Sequence, residues 1–205
     1  MASTSTYSGA TQTSRRRWRV VDIVVAAVLA VACGVIFWLW SLAWTPLSVV
    51  LSFLAPLSGL LVGGWLIGGT IGALVIRKPG AALFCELVAA MVEATLGTHW
   101  GMTVLIWGVV QGASAELVFA LTGYRRWNLT VATLAGAAAG LGCGLLDITL
   151  GSAVTWEAGY RLLYVVCAVV SGAVIAGVGG WLTVRALAGT GALSAFGAGR
   201  TAREV

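Results

Sequence analysis

The chain of 205 residues is 60% hydrophobic and only 9% charged, with 28 glycines and a mean hydropathy of +0.98. A soluble domain carries about 25% charged residues, so this composition excludes the soluble enzyme classes and implies an all-α, polytopic membrane protein. The net charge of +5 belongs to the positions of the basic residues and is no nucleic-acid footprint, as their order along the chain makes plain.

Residues 1–19, opening MASTSTYSGATQTS, read as a disordered cytoplasmic tail, and residues 188–205 as a second one. RRRW before an apolar run mimics a signal peptide, and LAVAC (29–33) resembles a lipoprotein cleavage site. The run continues to Trp44, however, which suits a membrane span and not a short leader. At about 20 apolar residues per span, the domain 20–187 divides into six helices near 20–44, 47–76, 80–97, 101–123, 128–150 and 159–187. Pro56 and Gly63-Gly64 interrupt the second, which is either one tilted helix or a short re-entrant piece followed by a span.

Basic residues gather in the loops of one side. Arg15, Arg16, Arg17 and Arg19 precede the first helix, Arg77 and Lys78 follow the second, Arg125 and Arg126 follow the fourth, and Arg185, Arg200 and Arg203 close the sixth. Only Arg161 falls on the other side, so the expectation is a six-helix bundle with both termini in the cytoplasm. Asp22, at the inner mouth of the first helix, reads as a partner for Arg19. Small residues recur every four positions: Ala26, Ala30 and Gly34; Gly64, Gly68 and Gly72; Gly136, Gly140 and Gly144; Gly172, Ala176 and Gly180. Such stripes let membrane helices approach closely, either within the bundle or against a partner protein.

The acidic residues inside the spans are the chemical signal, because a buried charge in a membrane helix costs about 2.5–3.5 kcal/mol and is kept for a pathway, a partner or a ligand. Glu86 and Glu93, seven residues apart, share a face of the third helix. Glu93 lies near the outer surface and suits a ligand acceptor, a proton relay or a hydrogen-bonded structural carboxyl. His99 and Trp100 occupy the following turn. Trp107, Gln111 and Ser114 then form one stripe offering an indole plane, an amide and a hydroxyl. Glu116 points elsewhere and reads as structural, with Arg125 or Arg126 as its partner. Asp147 continues the glycine stripe of the fifth helix and faces protein. The outer ends are rich in aromatics, among them Trp38, Trp40, Trp44, Trp156 and Tyr160, which form an interfacial belt and also suit a flat aromatic cation.

Cys33, Cys85, Cys143 and Cys167 form no CxxC pair and read as apolar core, so neither a metal nor a cofactor is expected. There is no GxxxxGK[ST] phosphate loop, the single lysine Lys78 being followed by Pro79. HExxH and GxSxG are also absent, which argues against an enzyme.

The segments RKPGAALFCELVAAMVEATLG (77–97) and GVVQGASAELVFALTGYRRW (108–127), with the acid in GLLDIT (144–149), resemble the YkoE family. These are the substrate-binding S components of energy-coupling-factor transporters for thiamine or its hydroxymethylpyrimidine precursor. The resemblance implies a bacterial plasma-membrane subunit that captures a vitamin outside and docks on a transmembrane scaffold carrying two ATPase subunits. In such subunits an AxxxA-like patch on the first helix meets the scaffold, which points to Ala26 and Ala30, with Gly34 extending the patch. Together with the residue chemistry it implies that Glu93 binds the aminopyrimidine edge, that Trp107 or an outer indole such as Trp100 stacks on the ring, and that Gln111, Asp147, Glu86 and His99 are the further polar candidates. The rival expectation is a proton-coupled secondary transporter of a small cationic or aromatic solute, with Glu86, Glu93 and Asp147 as the relay.

Overall fold

The computed structural model describes residues 17–191 together with Leu193, Phe196, Ala198 and Gly199, and every regular element among them is helical. The expected tails at 1–19 and 188–205, with Arg15, Arg16, Arg200 and Arg203, lie mostly outside the described residues.

Helix α1 (Val20–Val50) opens on Arg19, whose backbone N–H donates to Asp22 Oδ2 at 2.7 Å while its guanidinium reaches Oδ1 at 2.9 Å. Lys78 joins the same carboxylate at 2.5 Å, and the Trp18 indole donates to the Pro79 carbonyl at 2.9 Å. Residues 18 and 19, read from sequence as part of a loose tail, are thus stitched to the RKPG loop.

The second apolar unit, Ser52–Ile76, is one helical unit of 25 residues but not one regular α-helix. It is a 3₁₀-helical stretch, Ser52–Trp65, kinked at Leu54 (φ −144°, ψ 81°), which passes through Leu66 into α2 (Ile67–Ile76). Helix α3 (Ala81–Leu96) ends on Gly97, whose φ of 91° is the left-handed conformation that glycine adopts without strain. A 3₁₀ turn at Gly101–Thr103 leads into α4 (Val104–Leu121). Helix α5 (Leu129–Thr149) is capped by Asn128, which accepts from the Val131 amide at 3.0 Å. The last helix is continuous from Ala158 to Gly189. Its parts are α6 (Ala158–Ser171), a wider π-helical stretch (Gly172–Gly179) and α7 (Gly180–Gly189).

Five of these units are long and apolar enough to cross a membrane. Helix α3 is the exception: its 16 residues rise about 24 Å against a hydrocarbon core of about 30 Å. It is also central, since it packs on α1, α2 and α4 while α4 packs on α5 and α5 on α6 and the π-helical stretch.

The small residues make these contacts close. At the crossing of α5 and the π-helical stretch, a Cβ on Gly136 would overlap the carbonyl of Gly172, and one on Gly140 would overlap that of Ala168. The stripe of α1 requires a correction. Ala26, Ala30 and Gly34, expected to face a scaffold protein, are buried within the chain. A Cβ on Gly34 would run into Val92 and the Ala89 carbonyl, and the Cys85 thiol sits 3.6 Å from the Ala26 carbonyl oxygen. The reason is that α3 is itself rich in alanine on the facing side, so the two helices satisfy each other. Overpacking a filled seam costs about 1–3 kcal/mol, so Ala26→Leu with Ala30→Leu is expected to lower the unfolding temperature of the purified protein. Unchanged thermal unfolding would mean that the seam is open.

Glu116 also has other partners than those expected. It takes the N–H groups of Gly80 at 2.6 Å and Ala82 at 2.8 Å, and the Tyr124 hydroxyl at 2.8 Å. A carboxylate from α4 therefore caps the first turn of α3, where orphan N–H groups and the helix dipole favour negative charge, and neither Arg125 nor Arg126 is needed.

The 3₁₀-helical stretch is held in the same way, by side chains of other helices. Ser171 accepts from the Gly63 amide at 2.9 Å and donates to the Leu60 carbonyl at 2.5 Å, and the Trp40 indole donates to the Leu61 carbonyl at 2.8 Å. Irregular backbone at membrane depth persists only when protein satisfies it.

Candidate functional site

A cavity of about 410 Å³ opens at the end of the bundle where α3 turns into α4 and α5 connects to α6. That volume lies within the range of small-molecule sites, about 300–1,000 Å³.

Glu93 stands on its α3 wall, only 2% exposed. Ser41 of α1 donates to its Oε1 at 2.5 Å, and the Trp65 indole N–H reaches the same oxygen at 3.3 Å and Ser41 Oγ at 3.1 Å. Both bonds fall on one carboxyl oxygen, and the Thr98 hydroxyl also lies beside the carboxylate. Asp147 stands on the α5 wall. It accepts from the Trp107 indole on Oδ1 at 2.8 Å and from the Tyr164 hydroxyl on Oδ2 at 2.6 Å, with the Cys143 thiol 3.7 Å from Oδ2. Its carboxylate therefore orients an indole and a phenol on two neighbouring helices.

Three further indoles meet at steep angles around the mouth, Trp100 edge to face with both Trp44 and Trp65. Trp65 and Trp100 lie 5.2 Å apart between ring centroids, Trp44 and Trp65 5.4 Å, and Trp44 and Trp100 5.7 Å. With Trp107 they give the cavity four indole surfaces from four parts of the chain. Gln111 completes the wall, donating to the Cys143 sulfur at 3.2 Å. The arrangement suits a planar ring bearing an amine or a positive charge, since indole faces attract cations and carboxylates accept hydrogen bonds.

Five of the seven candidate binding residues read from sequence thus come together: Glu93, Trp100, Trp107, Gln111 and Asp147 all line the cavity. The other two do not. His99 lies against Trp100, 3.5 Å between centroids with the rings tilted by 38°, and loss of water contact there holds its pKa below the usual imidazole value. Glu86 is buried beyond the wall, where it accepts from the Gly69 amide at 2.5 Å. No hydrogen bond joins Glu86, Glu93 and Asp147 to one another among the described residues.

Trp65, Tyr164 and Ser41 escaped the sequence reading. The signal for Trp65 is its place directly after Gly63-Gly64, the residues that admit the Trp40 indole and the Ser171 hydroxyl. Tyr164 lies four residues before Ala168 and seven before Ser171, on the small-residue face of α6 that packs inward.

Residues 21–142 match the family described as the permease component of an ABC-type cobalt transport system. The chain is 33% identical over 191 residues to the YkoE protein of Bacillus subtilis (strain 168), whose name describes an HMP/thiamine permease, covering 92% of this chain and 94% of that protein. It is also similar to a crystal structure of an S component of an ECF transporter, with a TM-score of 0.86 at 33% identity, covering 92% of this chain and 94% of the other.

Proposed function

We propose, from the premise that this chain belongs to the YkoE family of ABC-type permease components, that it is the substrate-capture S component of an energy-coupling-factor importer for thiamine or hydroxymethylpyrimidine. It is a multi-pass protein of the bacterial plasma membrane, and it works as a transport subunit together with other components of such a transporter.

One observation carries the substrate class: a buried acidic residue, Glu93, on the wall of a cavity faced by four indoles. Thiamine and hydroxymethylpyrimidine share an aminopyrimidine ring, whose exocyclic amine donates to a carboxylate while its plane stacks on an indole. Although the family description mentions cobalt, no three His, Cys, Asp or Glu side chains cluster as metal ligands among the described residues, so the donor set favours an organic ring.

The finer reading has three parts. Glu93 receives the ring amine, Trp107 and Trp100 cover its faces, and Gln111 and Asp147 complete the polar rim. The domain 20–187 crosses the membrane six times, α3 included, with both termini in the cytoplasm, which the basic loops at Arg77 and Lys78 and at Arg125 and Arg126 support. A scaffold subunit and two ATPase subunits supply the energy, because the chain has no phosphate loop of its own.

Orientation has a direct test. Single cysteines at Thr130 and Thr155, near opposite ends of α5 and both exposed, are placed in a Cys-free background and treated on whole cells with an impermeant thiol reagent. Only the Thr155 position should react, and labelling at Thr130 instead would invert the topology.

Function is tested by reconstitution. The purified subunit should bind thiamine or hydroxymethylpyrimidine without ATP, but in vesicles by itself it should accumulate neither under a proton gradient. Uptake should appear only with the scaffold and ATPase subunits and ATP. Gradient-driven accumulation by the lone subunit would replace this reading with that of a proton-coupled transporter.

A further inference from the structure

Resting on the reading of the cavity given above, we propose that Glu86 is a positioning residue for that cavity, acting through the Gly69 amide on Trp65 without touching the ligand itself.

Helix α2 starts at Ile67, inside the bundle, and its residues from Gly68 onward are buried. The first N–H groups of any helix lack intrahelical partners, and at membrane depth no water replaces them. Leu66, the residue before the helix, has no side-chain acceptor to offer. The Gly69 amide is met from α3 by Glu86 Oε2 at 2.5 Å, so a carboxyl from one helix closes the open end of another, where the helix dipole favours it.

The surroundings are built to admit that side chain. A Cβ on Gly69 would come within 3.2 Å of Oε2, and one on Gly112 of α4 within 2.9 Å of the Glu86 Cβ. Glu86 is 1% exposed, and its other oxygen, Oε1, is buried without a partner. All of its polar engagement with the protein is therefore with the start of α2.

Trp65 lies four residues before Gly69, at the join between the 3₁₀-helical stretch and α2. It bonds Ser41 and Glu93 and packs on Trp44 and Trp100, so a small shift of that join moves the residue on which one side of the cavity converges. On α3, Ala90 stands one turn beyond Glu86 and lines the cavity, so the cap sits directly behind the wall that carries Glu93.

The test compares wild type, E86Q and E86L, each with and without W65F, as the purified full chain titrated calorimetrically with thiamine and with hydroxymethylpyrimidine. E86Q keeps an acceptor for the Gly69 amide and should bind within about threefold of wild type, whereas E86L removes it and should bind at least about tenfold more weakly. In the W65F background the E86L penalty should shrink to about threefold or less, because the residue being positioned has lost its indole. Hydrogen exchange of residues 68–72 without ligand should rise in E86L and not in E86Q. If E86L is not recovered folded, E86D, whose shorter chain withdraws the acceptor, takes its place. An equal E86L penalty in both backgrounds overturns the proposal, as does loss of binding in E86Q with unchanged exchange, which would make Glu86 a ligand contact. Wild-type protein that binds neither compound would sink the reading of the cavity, while the exchange result would still judge the cap.

Discussion

Glu93→Gln is expected to weaken thiamine binding by about 1.5–3 kcal/mol, roughly ten- to a hundredfold, without lowering the unfolding temperature appreciably. The carboxylate offers only acceptors, and Ser41 and Trp65 already occupy Oε1, so in the proposed pose the ring amine would turn to Oε2. Glutamine preserves the shape but turns one of the two positions into an NH₂ group. If the amide keeps its oxygen toward Ser41 and Trp65, it presents a donor to a donor at the ligand. If it rotates, it presents donors to Ser41 and the indole N–H instead. Either way one buried hydrogen bond becomes a conflict. Titration calorimetry on the purified subunit measures the change, and a Glu93→Gln protein that binds like wild type would remove Glu93 from the substrate site.

Gly136→Ala is expected to be the more damaging of two single-methyl changes by about 3 kcal/mol. Its Cβ would overlap the backbone carbonyl of Gly172, and backbone on both sides cannot yield as a flexible side chain can. The comparison is Gly159→Ala at the exposed start of α6, where an added Cβ meets nothing within 4 Å and the change should stay within about 0.5 kcal/mol. Thermal unfolding of the two purified variants gives the difference. Similar stabilities would show that α5 and the π-helical stretch do not touch as closely as described. The cavity gives a second reading of the same variant, since α5 carries Asp147 and the following α6 segment carries Tyr164, bonded to each other at 2.6 Å. Parting the helices should therefore weaken ligand binding even where the protein still folds.

The long apolar runs and their flanking arginines made the helical membrane bundle legible from sequence, because insertion depends on composition summed over about 20 residues. The stripes of small residues were legible too, as places of close approach. What fills them was not: the same Ala26 and Ala30 pattern serves a partner or a neighbouring helix, and only the position of α3 decides. The acids divide in the same way. Glu93 and Asp147 line a cavity, as acids near the outer ends of their spans suggested, though Ser41, Trp65 and Tyr164 beside them were not foreseen, whereas Glu86 and Glu116 meet backbone N–H groups, which every residue but proline carries and no letter marks. Trp65 was hidden because the 3₁₀-helical stretch buries Pro56, Gly59 and Val62 at a spacing of three, a repeat that an apolar run masks, so the segment reads like any other span.

The 3₁₀-helical stretch is second in the chain, yet the groups that satisfy its polar backbone arrive from Trp40 before it, and from Ser171 in the last helix more than a hundred residues after it. During synthesis, then, Ser52–Trp65 must enter the insertion machinery well before Ser171 exists. In that interval the Gly63 amide and the Leu60 carbonyl have no partner from α6, and lipid offers none. The stretch can reach its final depth only when α6 docks, so assembly of this domain finishes near its beginning: the last helix made completes the second segment threaded, and the cavity that Trp65 closes comes into being only at that final step.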